Sequence, residues 1–295
     1  MLLLLACAAQ NPAVEVAQSP LQSCDLPEER AKAAAQVEAI ELPTCLHVVF
    51  PDEAQAEAFR GEARQELKAL QINQVNRQLR GAPEADYQER RLNTGIQLSL
   101  EALELHVDER WSRLGEASAE EREQGLYAMA RSWGQAGCVD VFVLMDEDAS
   151  WEGAWASYPD SEQPGALAAV NHPDPRKLAH EWGHVLGLRH THEQIWGAEW
   201  ESPQDCDVNG DLLCDTPPDP GPDICKQIDE RGDTNAQSRS RVRCPEAYRD
   251  LEDAIPLDNL MSYWDPPWQS QGFSEEQAER MACTWTQAQG ELLGI

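Results

Sequence analysis

Residues 180–190 read His-Glu-Trp-Gly-His-Val-Leu-Gly-Leu-Arg-His, and no other string restricts this chain as much. On an α-helix, positions i and i+4 lie on one face, so His180 and His184 can hold one ion between them. Gly187 can take the positive φ that stops such a helix and turns the chain back. That return brings His190 round as a third nitrogen donor. Three neutral imidazoles with a fourth position left to water describe a catalytic zinc centre rather than a closed structural one. Glu181, beside the first histidine, is placed to take a proton from a zinc-bound water. The short form His-Glu-x-x-His arises by chance on many helices, and the added glycine and third histidine make the string specific. Four of the seven histidines fall between 180 and 192. His192 is in surplus and is read as a rim residue, not a ligand.

The surrounding pattern is that of an α/β (α+β) chain. Residues 46–50 read as a short strand ended by Pro51-Asp52. Phe59, Leu67, Leu70, Ile72, Val75 and Leu79 recur at helical spacing and predict one long helix over 53–80. Residues 96–100 alternate as a half-buried strand does, and 139–145 are rich in β-branched residues. Residues 165–170 are expected to form an edge strand beside the cleft. The zinc helix should begin near Pro175, whose ring suits a first helical turn. Beyond His190 the chain is dense in Pro, Asp and Gly until a final helix from about Glu275. The expected divisions are a signal-peptide remnant (1–7), a tether or short pro-segment (8–45), an upper subdomain carrying the zinc helix (46–190) and a smaller, irregular lower one (191–295).

Asp and Glu number 53 against 23 Lys and Arg, a net charge of −30. Phosphates would be repelled, which argues against nucleic acid or an anionic lipid surface as a partner. The same charge suggests a pocket that accepts Arg or Lys at P1′ of a peptide substrate. Leu4-Leu5-Ala6-Cys7 resembles the end of a bacterial lipoprotein signal peptide, with Cys7 as the residue to be acylated, although no basic residue precedes it. Membrane contact is expected only through such an anchor. Cys24, Cys45, Cys138, Cys206, Cys214, Cys225, Cys244 and Cys283 remain, an even set that suits disulfides in an exported chain. Bridges among the four from 206 to 244 should brace a loop-rich region. The ten tryptophans read as core and cleft packing.

The motif His-Glu-x-x-His-x-x-Gly-x-x-His followed downstream by Asn259-x-Met261-x-Tyr263 resembles the metzincin peptidases. Within them the chain is most similar to the pappalysins. The matches are His180 to His190 followed by Thr191, Gly210-Asp211-x-x-x-Asp215-Thr216-Pro217, the Met261 turn, and Phe273-Ser-Glu-Glu-Gln277-x-x-Arg280-Met281. His192, Ser262 and a long charged insertion at 221–255 depart from the family pattern. The resemblance implies a metzincin-like catalytic domain. Its upper subdomain would hold a mixed twisted sheet and two long helices, and its lower one a C-terminal helix. Met261 would form an apolar floor beneath the zinc ligands, and Tyr263 would direct its hydroxyl to the metal or the oxyanion. It also implies a structural Ca²⁺ near Asp207, Asn209, Asp211 and Asp215, oxygen donors at near-alternate positions. The function so read is a secreted or lipid-anchored zinc endopeptidase acting on protein or peptide. The rival reading is a catalytically inactive metzincin-like binding or adhesion module.

Overall fold

A long run of buried side chains makes the strand Ile40–Phe50 (β1) the spine of the molecule. The structure is a computed structural model and describes residues 20–295 apart from 36–38, 60–64, 66, 68, 82–91, 151–152, 172–173, 195–196, 200–204, 229–240, 253–254 and 265–271. β1 pairs in parallel with β2 (Ile96–Val107) on one side and β3 (Val139–Leu144) on the other. β3 pairs in parallel with β5 (Ala166–Val170), and β4 (Ala154–Ala156) closes the sheet antiparallel to β5, giving the order β2-β1-β3-β5-β4. Strands covered on both faces read as near-continuous apolar runs, as β5 does throughout and β3 does apart from Asp140. On one face, Leu46, Val48, Val141, Val143, Leu167 and Ala169 share a core with the zinc-motif helix α5 (Pro175–Val185) and the terminal helix α6 (Glu275–Leu292). On the other, Val49, Phe142, Leu144, Ala166 and Ala168 pack under α4 (Ala119–Trp133). The expected α/β class, with its mixed sheet and C-terminal helix, is the fold observed.

Three sequence expectations are corrected. Residues 8–45 are not a tether throughout, because β1 begins at Ile40 and residues 20–34 are packed. A 3-10 turn, Pro20–Asp25, and helix α1 (Pro27–Ala34) lie against α6. The disulfide Cys24–Cys283 joins them, Arg30 pairs with Glu276, and Asp25 pairs with Arg280. Arg30 and Arg280 are buried. Their cohesion is covalent and ionic rather than hydrophobic, so apolar periodicity gives no sign of it. Cys7 lies outside the described residues.

The helix expected over 53–80 is broken. It starts as α2 (Glu53–Ala58), capped by Asp52, and turns at Phe59. Gln65 and Leu67 are helical again, and a π-helix, Ala69–Gln74, leads into α3 (Val75–Leu79). Phe59, Leu67, Ile72, Val75 and Leu79 are all buried in the main core, so the spacing reported the inward face without reporting continuity. Residues 165–170 are not an edge either. β5 is interior and fully buried, and the edge is β4, a three-residue strand too short to leave a periodic signal. Helix α4 was not foreseen, although Ser118 and Glu121 form a reciprocal capping box at its start.

Cys45–Cys138 ties β1 to the start of β3, while Cys206–Cys214 and Cys225–Cys244 brace the region after the zinc motif as expected. Four disulfides fit a chain that matures outside the cytoplasm. Among the described residues no helix is long and apolar enough to cross a membrane.

Candidate metal centre

Helix α5 owes its start to Pro175 at the first position and to the Asp174 side chain, which accepts the Arg176 N–H at 2.8 Å. Its end is set by Gly187, at φ +82°. A side chain there would also meet Thr284 Oγ1 at 2.6 Å, so the position needs glycine twice over. The Leu188 N–H reaches back to Gly183 O at 2.8 Å, and the chain swings His190 toward the helix. The Nε2 atoms of His180, His184 and His190 then lie 3.0, 3.0 and 3.2 Å from one another. His180 donates its Nδ1–H to Leu260 O at 2.6 Å, and His184 donates its own to Leu188 O at 2.8 Å. Each of these neutral rings therefore presents an Nε2 lone pair to the centre. Burial holds His180 down to about 4 and His184 down to about 3, and it keeps His190 far below the usual imidazole range. Lone pairs aimed at one point repel unless a cation sits between them. Zinc–nitrogen bonds of about 2.0–2.1 Å in a tetrahedron place donors about 3.3 Å apart, so the three residues fit the ion.

Glu181 is buried beside this point, and burial pushes its carboxyl up to about 8. Below the histidines runs the turn of Met261. Asn259 Oδ1 accepts the Met261 N–H at 2.8 Å, and the Asn259 and Gln277 amides bond reciprocally at 2.9 and 3.1 Å. The turn thus supplies the Leu260 carbonyl that orients His180. Met261 is fully buried, and its Sδ would lie 2.5 Å from a Cβ added at Gly183. Glycine inside a helix costs about 1 kcal/mol relative to alanine, and here it lets the methionine floor approach. Sequence reasoning missed Gly183, the Asn259–Gln277 pair and Asp219. Asp219 accepts from Thr191 Oγ1 and Trp264 Nε1 and so ties the strand of ligands to the Met turn. Tyr263 is exposed at the mouth, its ring 4.5 Å from His190 and 5.9 Å from His180. His192 stacks on His190 at 4.9 Å and stays outside the donor triad.

These residues open onto a cleft of about 810 Å³ whose rim includes β4, Tyr158 and Tyr263. The acidity of the chain does not extend into it. Arg122, Arg176 and Lys177 share its lining with Asp174 and Glu181, and Asp174 is engaged by Arg176. Among the described lining residues, no second unengaged carboxylate is there to select Arg or Lys.

Of the four expected calcium donors, two carboxylates accept hydrogen bonds from the protein. Asp215 accepts from Ser274 Oγ and the Glu276 N–H at the start of α6. The Asp211 carboxylate is bonded to Thr216 Oγ1 and the Leu213 N–H, while Asp207 is exposed. Asn209 Oδ1 instead packs over Gly197. A different acid stands out: Glu199 is 3% exposed, one of its oxygens has no hydrogen-bond partner, and burial with Asp211 and Asp219 nearby pushes it up to about 8.

Residues 127–285 match the sequence profile of peptidase family M43, described as Pregnancy-associated plasma protein-A. Among solved structures, mature mirolysin of Tannerella forsythia in complex with a cleaved peptide is similar at TM-score 0.54 and 17% identity. The match covers 86% of this chain and 97% of that one. A Tannerella forsythia promirolysin mutant is similar at TM-score 0.52 and 15% identity, covering 92% and 91%. No curated protein gives a significant match.

Proposed function

The chain belongs to the pappalysin family of metallopeptidases, and on that premise we propose that it is an exported or lipid-anchored zinc endopeptidase. The observation that carries this reading is the convergence of three Nε2 atoms beside a buried glutamate. His180, His184 and His190 would hold the zinc ion, which when bound would supply Lewis-acid chemistry to the scissile carbonyl and the attacking water. Glu181 accepts a proton from the attacking water and delivers it to the leaving amine nitrogen. Its burial favours the protonated form it holds between these two events. The Tyr263 hydroxyl stabilises the tetrahedral oxyanion. Substrate lies extended along β4, the sheet edge at the cleft, and pairs with its backbone. Mature mirolysin, similar in fold, is described with a cleaved peptide.

A structural calcium ion near Asp207, Asn209, Asp211 and Asp215 is part of the proposal, supported by the near-alternate spacing of these oxygen donors. The cleft's mixed charge gives no ground for a basic P1′ preference. Casein hydrolysis by wild type and by Glu181→Ala, with and without a chelator, tests the reading. Glu181→Ala should lose about 10²–10⁴-fold in rate with its zinc content retained. Equal hydrolysis by both proteins would sink the mechanism, and no hydrolysis by either would favour a binding module.

A further inference from the structure

On the sheet face turned away from the cleft, His47, Glu104 and His106 bring three donor atoms within 4.8 Å of one another. We propose that these residues bind a second divalent transition ion of the zinc class, with Asp140 as a positioning residue.

Strand register creates the group. His47 on β1 stands opposite Glu104 on β2, and His106, two residues further along β2, shares the face of Glu104. His47 Nδ1 lies 3.0 Å from His106 Nε2 and 4.0 Å from Glu104 Oε2, and His106 Nε2 lies 3.8 Å from the same carboxylate oxygen. Asp140, on β3, accepts the His47 Nε2–H at 2.9 Å. That bond fixes the tautomer, so the Nδ1 lone pair points at His106 and Glu104, the arrangement in which carboxylates orient metal-bound imidazoles. The rings are held in place. His47 is fully buried and stacks on Phe142 at 4.8 Å, and His106 stacks on Trp133 at 4.0 Å. The Glu104 side chain is 49% exposed, which gives an ion access from solvent and leaves the carboxylate free to move. A tetrahedral ion needs donors about 3.3 Å apart, so Glu104 must close by about half an ångström while the imidazoles barely shift.

Two histidines and one glutamate with an open fourth position suit zinc. The ion would join β1 to β2, an edge strand of the sheet, so its effect falls on stability rather than on peptide cleavage. The competing account is a bare hydrogen bond between His47 Nδ1 and His106 Nε2, in which Glu104 has no part.

The test titrates metal-free full-length protein with zinc chloride, then counts bound zinc by mass spectrometry and follows thermal midpoints. Two zinc ions per wild-type chain are expected, against one per chain for His106→Gln and for Glu104→Gln, with casein hydrolysis by both variants at the wild-type rate. Zinc should raise the wild-type midpoint in two steps and each variant's in one. Glu104→Gln keeps the test decisive, because its exposed side chain can change without loss of the fold. One zinc per wild-type chain, or a Glu104→Gln chain that binds as many as wild type, overturns the site.

Discussion

The two imidazole clusters sit on opposite faces of one sheet and are assembled by different means. The cleft cluster draws its donors from one helix and the turn after it, within eleven consecutive residues. The other draws on β1 and β2 for donors and on β3 for the aspartate that orients them. In the first, carbonyl oxygens at Leu260 and Leu188 fix the rings; in the second, a carboxylate and two aromatic faces do so. Backbone anchors leave the cleft imidazoles neutral around a point open to substrate. Side-chain anchors suit a site that holds its ion and does nothing else.

The sharpest way to break this contrast is His184→Ala. It should remove the cleft ion and lower casein hydrolysis by roughly 10³-fold or more, given several kcal/mol of charge stabilisation at the centre. The same chain should still take one zinc at His47, Glu104 and His106, as counted by mass spectrometry. A chain that loses both ions would mean the sites are not independent.

A smaller effect is expected from Gly183→Ala, whose added methyl would press on Met261 Sδ. Overpacking of this kind costs about 1–3 kcal/mol, measurable by denaturant unfolding. Activity should fall with it, because the Met turn carries the His180 anchor. An unchanged unfolding midpoint would show that the floor yields and is not a fixed support.

The gentlest test concerns Glu199. Its folded carboxyl is pushed above its ordinary value of 4.5 to about 8, by burial first and then by Asp211 and Asp219. The folded chain therefore keeps a proton that the unfolded chain releases, and stability falls as pH rises from about 4.5 to about 8. Glu199→Gln removes that slope. The variant's thermal midpoint should gain on wild type across this window. Parallel profiles would show that burial does not hold a proton on Glu199.

Legibility followed the same division. The spacing of His180, His184, Gly187 and His190 is a local rule of helix geometry, so ligands, bend and base could be read directly. Met261 was legible through the resemblance carried by Asn259-x-Met261-x-Tyr263, and α6 as the helix that follows the Pro-, Asp- and Gly-dense stretch. His47, Glu104, His106 and Asp140 are ordinary strand residues until the register is known, and nothing local specifies register. The calcium donors are hard to read for a related reason. Alternating Asp and Asn residues mark a turn whichever partner they take, and here Asp215 caps a helix. The packed residues 20–34 were hidden because buried arginines and a distant cysteine hold them.

Cys24–Cys283 has a bearing on how this chain endures proteolysis, its own included. The bridge spans 259 positions and turns almost the whole polypeptide into a ring. A cut after α1 would nick that ring without releasing its front segment. Asp25 would stay paired with Arg189, the residue immediately before the ligand His190. Opening this seam takes a reductant, so a nicked chain should migrate as one species until thiol is added.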